Sequence, residues 1–252
     1  MRAMREAMSA GETLVFGHRG AMAQAPMNTL AAFERARKQG ADGIELDVQL
    51  SRDGQLVVVH DETVDATTDG RGRVADLNLA ELKRLDAGAW FSKRFAGERI
   101  PTLDEVFDGF GRALLINVEI KASRAQVDRL DKRLADCIQR HNISERIIVS
   151  CFDPFVLRRI RPVMPTVMQG YLYVPDMPAS HYLPLNELRH EARHPRHDMV
   201  DEGYMKWARA HGYFVNVWTV NDVERALRLK RLGVNVIMTD EPGRIISALQ
   251  PC

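Results

Sequence analysis

The chain has 252 residues, with 35 Lys and Arg against 34 Asp and Glu and 45% hydrophobic residues, which describes a globular protein with ample material for a core. A formal charge of +1 lacks the long-range field that favours nucleic acid or an anionic membrane surface. Three cysteines, Cys137, Cys151 and Cys252, contain no C-x-x-C pair and suggest neither a disulfide framework nor a thiolate zinc site. The first eleven residues lack the apolar stretch of a secretory leader, and no segment approaches the ~20 apolar residues of a membrane span, so the expected compartment is the cytoplasm.

Short β-branched runs alternate with amphipathic patterns along the whole length, the form of repeated βα units on a parallel sheet. The first strand, Thr13–Phe16, runs into Gly17-His18-Arg19-Gly20, which places an imidazole and a guanidinium where a strand turns into a loop. Asn28 is the expected cap of a helix carrying Leu30, Phe33 and Ala36, with Gly40 past its end. The second strand, Gly43–Val48, holds Glu45 and Asp47 two residues apart and therefore on one side, with Leu46 on the other. Two acids in an apolar run repel and resist burial unless a cation lies between them, and a lysine or arginine would serve as well as a metal. After the turn at Asp53-Gly54, a third run, Leu56–Val59, ends in His60-Asp61.

Residues 86–99 carry Gly88, Trp90, Phe91, Phe95 and Gly97 with no clean period and are expected to be a small insertion. Thr102 with Glu105 predicts a capping box. In the strand Leu114–Glu119 and just beyond, Asn117, Glu119 and Lys121 share one face. Arg124–His141 is the longest helical pattern, with Val127, Leu130, Leu134, Cys137 and Ile138 as its apolar stripe and its charges as a solvated face. Strands follow at Arg146–Ser150 and Val167–Tyr171. The Pro- and His-rich stretch Pro175–Asp198 has weak periodicity, must hold a strand and a helix if a barrel is to close, and leaves His181, His190, His194 and His197 as expected surface-loop residues. Tyr213–Trp218 is a strand whose Trp218 either walls a pocket or fills a core layer. Asn221 with Glu224 predicts a cap, Gly233 a helix end and Asn235–Met238 the last strand, while the acids of Thr239-Asp240-Glu241-Pro242 either line the barrel mouth or, the favoured reading, cap the final helix. No linker or fixed repeat divides the chain, so residues 1–252 are expected to form one domain.

Glu45, Asp47 and Glu119 offer three oxygen ligands from neighbouring strand ends, the donor type that hard cations such as Mg²⁺ or Ca²⁺ prefer. Arg19 and Lys121 add positive groups suited to a phosphate ester, and His18 and His60 remain for proton transfer near neutral pH. Together these types point to phosphoester chemistry.

The ordered set His18-Arg19-Gly20, Asn28-Thr29-Leu30-Ala31-Ala32-Phe33, Glu45-Leu46-Asp47-Val48, Asp53-Gly54, His60-Asp61, Val118-Glu119-Ile120-Lys121, Val217-Trp218-Thr219-Val220-Asn221 and Thr239-Asp240 resembles the glycerophosphodiester phosphodiesterase family, in its bacterial cytosolic form. The resemblance spans nearly the whole chain. It implies a TIM (β/α)8 barrel with a small insertion after the second strand, and metal-dependent hydrolysis of glycerophosphodiesters to glycerol 3-phosphate and an alcohol. It further implies His18 and His60 as general acid and base, Glu45, Asp47 and Glu119 as ligands of Mg²⁺ or Ca²⁺, with Mn²⁺ also suitable, and Arg19, Lys121 and Trp218 as phosphate and substrate contacts. The partner is then a small-molecule glycerophosphodiester, with no nucleic acid and no stable membrane association. Two positions depart from the family pattern: Met27 stands where a Glu usually precedes the Asn-Thr pair, and Ala66 where a basic residue is usual. A lysophospholipase D-like or cyclising phosphodiesterase on lysophospholipids is the alternative, which would use Trp90, Phe91 and Phe95 as an apolar rim. A barrel that only binds a phosphometabolite would have lost one of these histidines or acids, and all are present.

Overall fold

Among the described residues, nine short runs form strands: Leu14–Gly17 (β1), Gly43–Leu50 (β2), Leu56–Val58 (β3), Leu115–Ile120 (β4), Ile147–Cys151 (β5), Met168–Tyr173 (β6), Ala192–Pro195 (β7), Phe214–Val217 (β8) and Val236–Thr239 (β9). Most are buried from end to end, so they need cover on both faces. The computed structural model, which describes residues 3–121, 127–177 and 188–250, supplies that cover by closing the sheet on itself. Eight strands pair in parallel in the order β1, β2, β4, β5, β6, β7, β8, β9, and β9 pairs again with β1. The fold is a TIM barrel. The ninth strand, β3, pairs antiparallel with the end of β2, Val48 opposite Val58, and leads the chain out of the ring.

The α-helices of the described residues are Met4–Ser9 (α1), Leu30–Lys38 (α2), Leu79–Leu82 (α3), Leu103–Phe110 (α4), Val127–His141 (α5), Pro154–Ile160 (α6), Glu202–Ala210 (α7), Val223–Leu232 (α8) and Pro242–Leu249 (α9). Leu130, Leu134, Cys137 and Ile138 of α5 are buried, as the stripe predicts, while residues 124–126 of the expected helix lie outside the described residues. α1 has a role the sequence reading missed. It buries Met4, Ala7 and Met8 in one cluster with Leu14, Leu115, Ile148 and Met168, near the strands' N-terminal ends, and so floors the barrel. Residues 59–102, which include the stretch at 86–99, form an excursion with a small core of its own, Val59, Val64, Val74, Leu82, Ala87 and Ile100.

Three expectations need correction. Thr29, not Asn28, caps α2: its hydroxyl accepts from the Ala32 N–H, whereas Asn28 sits at φ +57°, outside the extended backbone an N-cap requires. Asp222, not Asn221, caps α8, accepting from the Arg225 N–H at 2.7 Å. The histidine-rich stretch is no surface loop throughout, because β7 runs through it and buries His194 completely, with His190 also buried. His194 points into the barrel, where Asn216 Nδ2 donates to its Nε2 at 2.9 Å and a Cβ on Gly170 would collide with its ring. The helix expected there is not seen among the described residues, and His181 lies outside them. The capping box of α4 forms as expected, with Thr102 N–H donating to Glu105 at 2.8 Å, and Gly233 ends α8 at φ +79°.

Candidate active site

The turn after β1 is built for close approach. Arg19 and Gly20 both take positive φ, and a Cβ on Gly20 would run into the backbone of Ala32, so only glycine lets α2 pack this near. The turn fixes His18 through its N–H to Thr239 O at 2.8 Å, and Arg19 through its N–H to Glu45 Oε2 at 3.0 Å. Parallel register sets Glu45 beside Asn117 and Asp47 beside Glu119, which stacks the acids of β2 and β4 on one inward face. His60 comes back to the same place because β3 doubles back on β2 and Gln49 Nε2 reaches the carbonyls of Val59, His60 and Asp61.

The result is a cavity of about 130 Å³ at the C-terminal ends of the strands, lined by His18, Arg19, Glu45, His60, Glu119, Lys121 and Trp218 among others. Asp47 lies behind it, wholly buried, with Asn28 Nδ2 donating to its Oδ2 at 2.8 Å and Arg19 Nε 3.2 Å from the same oxygen. Lys121 Nζ stands 3.3 Å from Asp47 Oδ1 and also pairs with Glu119. The structure thus brings together every site residue singled out from the sequence. Phe152, Leu172 and Met238 make an apolar wall on the cavity, and the Phe152 ring meets Trp218 edge-on at 5.4 Å. Trp218 is fixed by its Nε1–H to His194 O at 2.8 Å. At the position of the first departure, Met27 Sδ accepts a hydrogen bond from Arg19 Nη1 at 3.4 Å, so a neutral sulfur stands beside the guanidinium.

Charge is crowded here. Burial pushes Glu45 well above the usual carboxylate range, and the charges of Asp47 and Glu119 push the same way. Glu119 rises to about 7, first from burial and then from Asp47, with Lys121 opposing. Asp47 falls below the ordinary range, since Lys121, Arg19 and His60 outweigh its burial. One carboxylate oxygen from each of Glu45, Asp47 and Glu119 lies within 4.8 Å of the others, and Glu45 Oε1 is buried with no hydrogen-bond partner among the described residues. An all-oxygen, mutually repelling set with a spare buried lone pair fits a hard divalent cation.

Both histidines are held by carboxylates. Asp240 Oδ1 lies 2.7 Å from His18 Nδ1 and Asp61 Oδ1 lies 2.7 Å from His60 Nδ1, so each ring is left its Nε2 for other work. Burial lowers the His60 pKa below its ordinary 6.5 despite the nearby Asp47. Asp240 had been expected to cap the final helix. It instead binds His18, its other oxygen accepting from Asn221 Nδ2, while Glu241 at the start of α9 makes no side-chain cap. Asp240, for which a cap was preferred to a place at the mouth, Asn221 and Gln49 are the residues whose roles sequence reasoning missed. The signal available for the first two was their position at the ends of β8 and β9, where barrel active sites gather.

The sequence profile of the glycerophosphoryl diester phosphodiesterase family matches residues 18–244. A glycerophosphodiester phosphodiesterase of Caldanaerobacter subterraneus subsp. tengcongensis is 41% identical over 95% of this chain and 98% of its own length. A glycerophosphodiester phosphodiesterase of Bacillus subtilis is 32% identical over 93% of this chain and 86% of its own. Among solved structures, an Oleispira antarctica phosphodiesterase in complex with the product sn-glycerol-3-phosphate superposes with a TM-score of 0.86 at 32% identity, covering 96% of this chain and 98% of the other.

Proposed function

The chain belongs to the glycerophosphoryl diester phosphodiesterase family, and from that premise we propose that it hydrolyses glycerophosphodiesters to glycerol 3-phosphate and an alcohol in the cytoplasm, as one barrel domain. The observation that carries the reading is the convergence of two carboxylate-held imidazoles on one small cavity bordered by three acids and two cations. Glu45, Asp47 and Glu119 hold a divalent ion, Mg²⁺ or Ca²⁺ with Mn²⁺ also suitable, which when bound supplies positive charge to the phosphate oxygens. Arg19 and Lys121, at the edge of the acid cluster, clamp the same phosphate group. Trp218 bounds the substrate on the apolar side.

His60, kept neutral near pH 7 by its burial, takes the proton from the glycerol hydroxyl that neighbours the phosphoester. That oxygen attacks phosphorus, the bond from phosphorus to the alcohol oxygen breaks, and His18 protonates the departing alcohol. The substrate's own hydroxyl is already positioned, which makes the first step intramolecular. With the roles of the two rings reversed, a water molecule opens the cyclic phosphate to glycerol 3-phosphate. Asp61 and Asp240 hold the rings in place and stabilise their protonated forms. The test is phosphorus NMR of glycerophosphocholine turnover beside an analogue that lacks the neighbouring hydroxyl. The expected outcome is choline and glycerol 3-phosphate from the first and no reaction from the second. Equal turnover of both would replace the cyclic route with direct attack by water.

A second reading, action on lysophospholipids, is favoured by Trp90, which is 41% exposed beside Phe91, in a stretch whose Arg94 guanidinium donates to Gln24 O in the segment that follows β1. No helix among the described residues is long and apolar enough to cross a membrane, so this reading relies on surface contact alone. Sedimentation with phospholipid vesicles separates the two: binding that Trp90→Ser abolishes supports the lysolipid substrate, and no binding supports the water-soluble one.

A further inference from the structure

Away from the barrel mouth, α4 and α5 pack side by side in the outer layer. Each presents two potential ligands one helical turn apart: Asp104 and Asp108 on α4, Cys137 and His141 on α5. Residues four apart share a helix face, so the two pairs confront one another. His141 Nε2 lies 2.9 Å from Asp104 Oδ1, Cys137 Sγ lies 3.6 Å from the same oxygen, and His141 Nδ1 lies 3.4 Å from Asp108 Oδ1. A ligand atom from each of Asp104, Cys137 and His141 falls within 4.8 Å of the other two. The Phe107 and His141 rings pack edge to face with centroids 5.5 Å apart.

We infer that this cluster is a second metal site, distinct in chemistry from the three-carboxylate cavity, and that it takes Zn²⁺ or a similar borderline transition ion through Cys137 Sγ, His141 Nε2 and an Asp104 oxygen. A thiolate, an imidazole and a carboxylate are the donors zinc favours, and three protein ligands leave its fourth tetrahedral position for water. Asp108 completes the arrangement from outside: a metal-bound imidazole holds its other N–H against an acceptor, and Asp108 already stands at Nδ1. Binding expels the Cys137 thiol proton to solvent and puts the metal in its place. Arg140, now paired with Asp104, is no obstacle. Its side chain is 58% exposed, such an ion pair contributes little, and the arginine swings into water as the ion arrives. The ion ties α4 to α5 on the outside of the barrel and stabilises the folded chain, because the unfolded chain does not hold these four groups together.

The test is titration of the full chain with Co²⁺ in excess Mg²⁺, read by the thiolate-to-cobalt charge-transfer absorption that an all-oxygen site cannot give. The expected result is a band saturating at one ion per chain and erased by added Zn²⁺. The band is lost in Cys137→Ser and kept in Cys151→Ser and Cys252→Ser. Asp108→Asn, which alters a side chain 76% exposed and leaves folding unaffected, weakens binding about 10–100-fold. Added Zn²⁺ raises the melting temperature of the wild type and not that of Cys137→Ser. Absence of a thiolate band in the wild type, or a band that survives Cys137→Ser, overturns the assignment.

Discussion

At the ends of β1, β2 and β4 the barrel buries Glu45, Asp47 and Glu119 with Arg19 and Lys121 around one cavity, whereas the region of β6 and β7 buries His194, His190 and Arg193 with no such acid cluster among the described residues. In the second region polarity is quieted. His194 and His190 are driven down to about 3 and about 4, mainly by burial, so both are neutral at physiological pH, and the Arg193 guanidinium lies among the rings of Tyr171, Tyr173, Trp207 and Tyr213. In the first, like charges are held together at the expense of stability, with two acids raised and one lowered. Buried imidazoles that are neutral belong to the fold, and buried like charges held against one another mark the place where a charged ligand goes.

The contrast breaks most readily at the histidines. His18→Ala and His60→Ala are expected to lower kcat by about 10²–10⁴-fold with the fold intact, while His194→Asn leaves kcat within about tenfold of the wild type. A His194 variant as inactive as the other two would erase the distinction between the halves. Next in size is Glu119→Gln, expected to shift the metal titration of activity by more than the ~10–100-fold typical of a residue outside the ligand shell. An unmoved titration removes Glu119 from the site.

Gly170→Ala probes the quiet half. The new methyl meets the His194 ring, and urea unfolding should show a loss of about 1–3 kcal/mol with kcat near the wild-type value. The smallest effect concerns pH. Glu119 ionises near 7 when folded against an ordinary 4.5, so the stability it contributes is complete below pH 4.5 and is lost as pH rises through 7. The buried His190 and His194 act in the opposite sense, so the comparison is with Glu119→Gln, which keeps both histidines and has no acid at 119: relative to that variant, the metal-stripped wild type should lose melting temperature between pH 5 and pH 7.5, by a margin that saturating metal reduces. A margin that metal leaves unchanged argues against the acid cluster as its source.

Much of the first region was legible in the sequence because its chemistry lies at strand ends, where period-two alternation tells which side chains share a face. Glu45 with Asp47, and Asn117 with Glu119 and Lys121, follow from that rule alone. Asp240 and Asn221 were not legible, because an Asp or Asn before a helix serves equally as a cap, and only the closure of β9 against β1 brings Asp240 to His18. A strand within residues 175–198 was required for the barrel to close, and β7 meets that requirement, but its position was hidden for a different reason. Its four residues, Ala-Arg-His-Pro, carry no apolar pattern, since the barrel interior supplies Asn216 for the histidine and the outer layer supplies aromatic rings for the arginine. Long-range partners of this kind leave no trace in local periodicity. The floor formed by α1 was hidden likewise, because its methionines find their cover only after the strands have closed.

The most direct test of the central claim is release of glycerol 3-phosphate from glycerophosphocholine by metal-stripped protein, before and after Mg²⁺, Ca²⁺ or Mn²⁺ is added. The account predicts no product from the stripped protein and product restored by at least one of these ions. Turnover that stripping leaves untouched, or silence with all three ions, would contradict it.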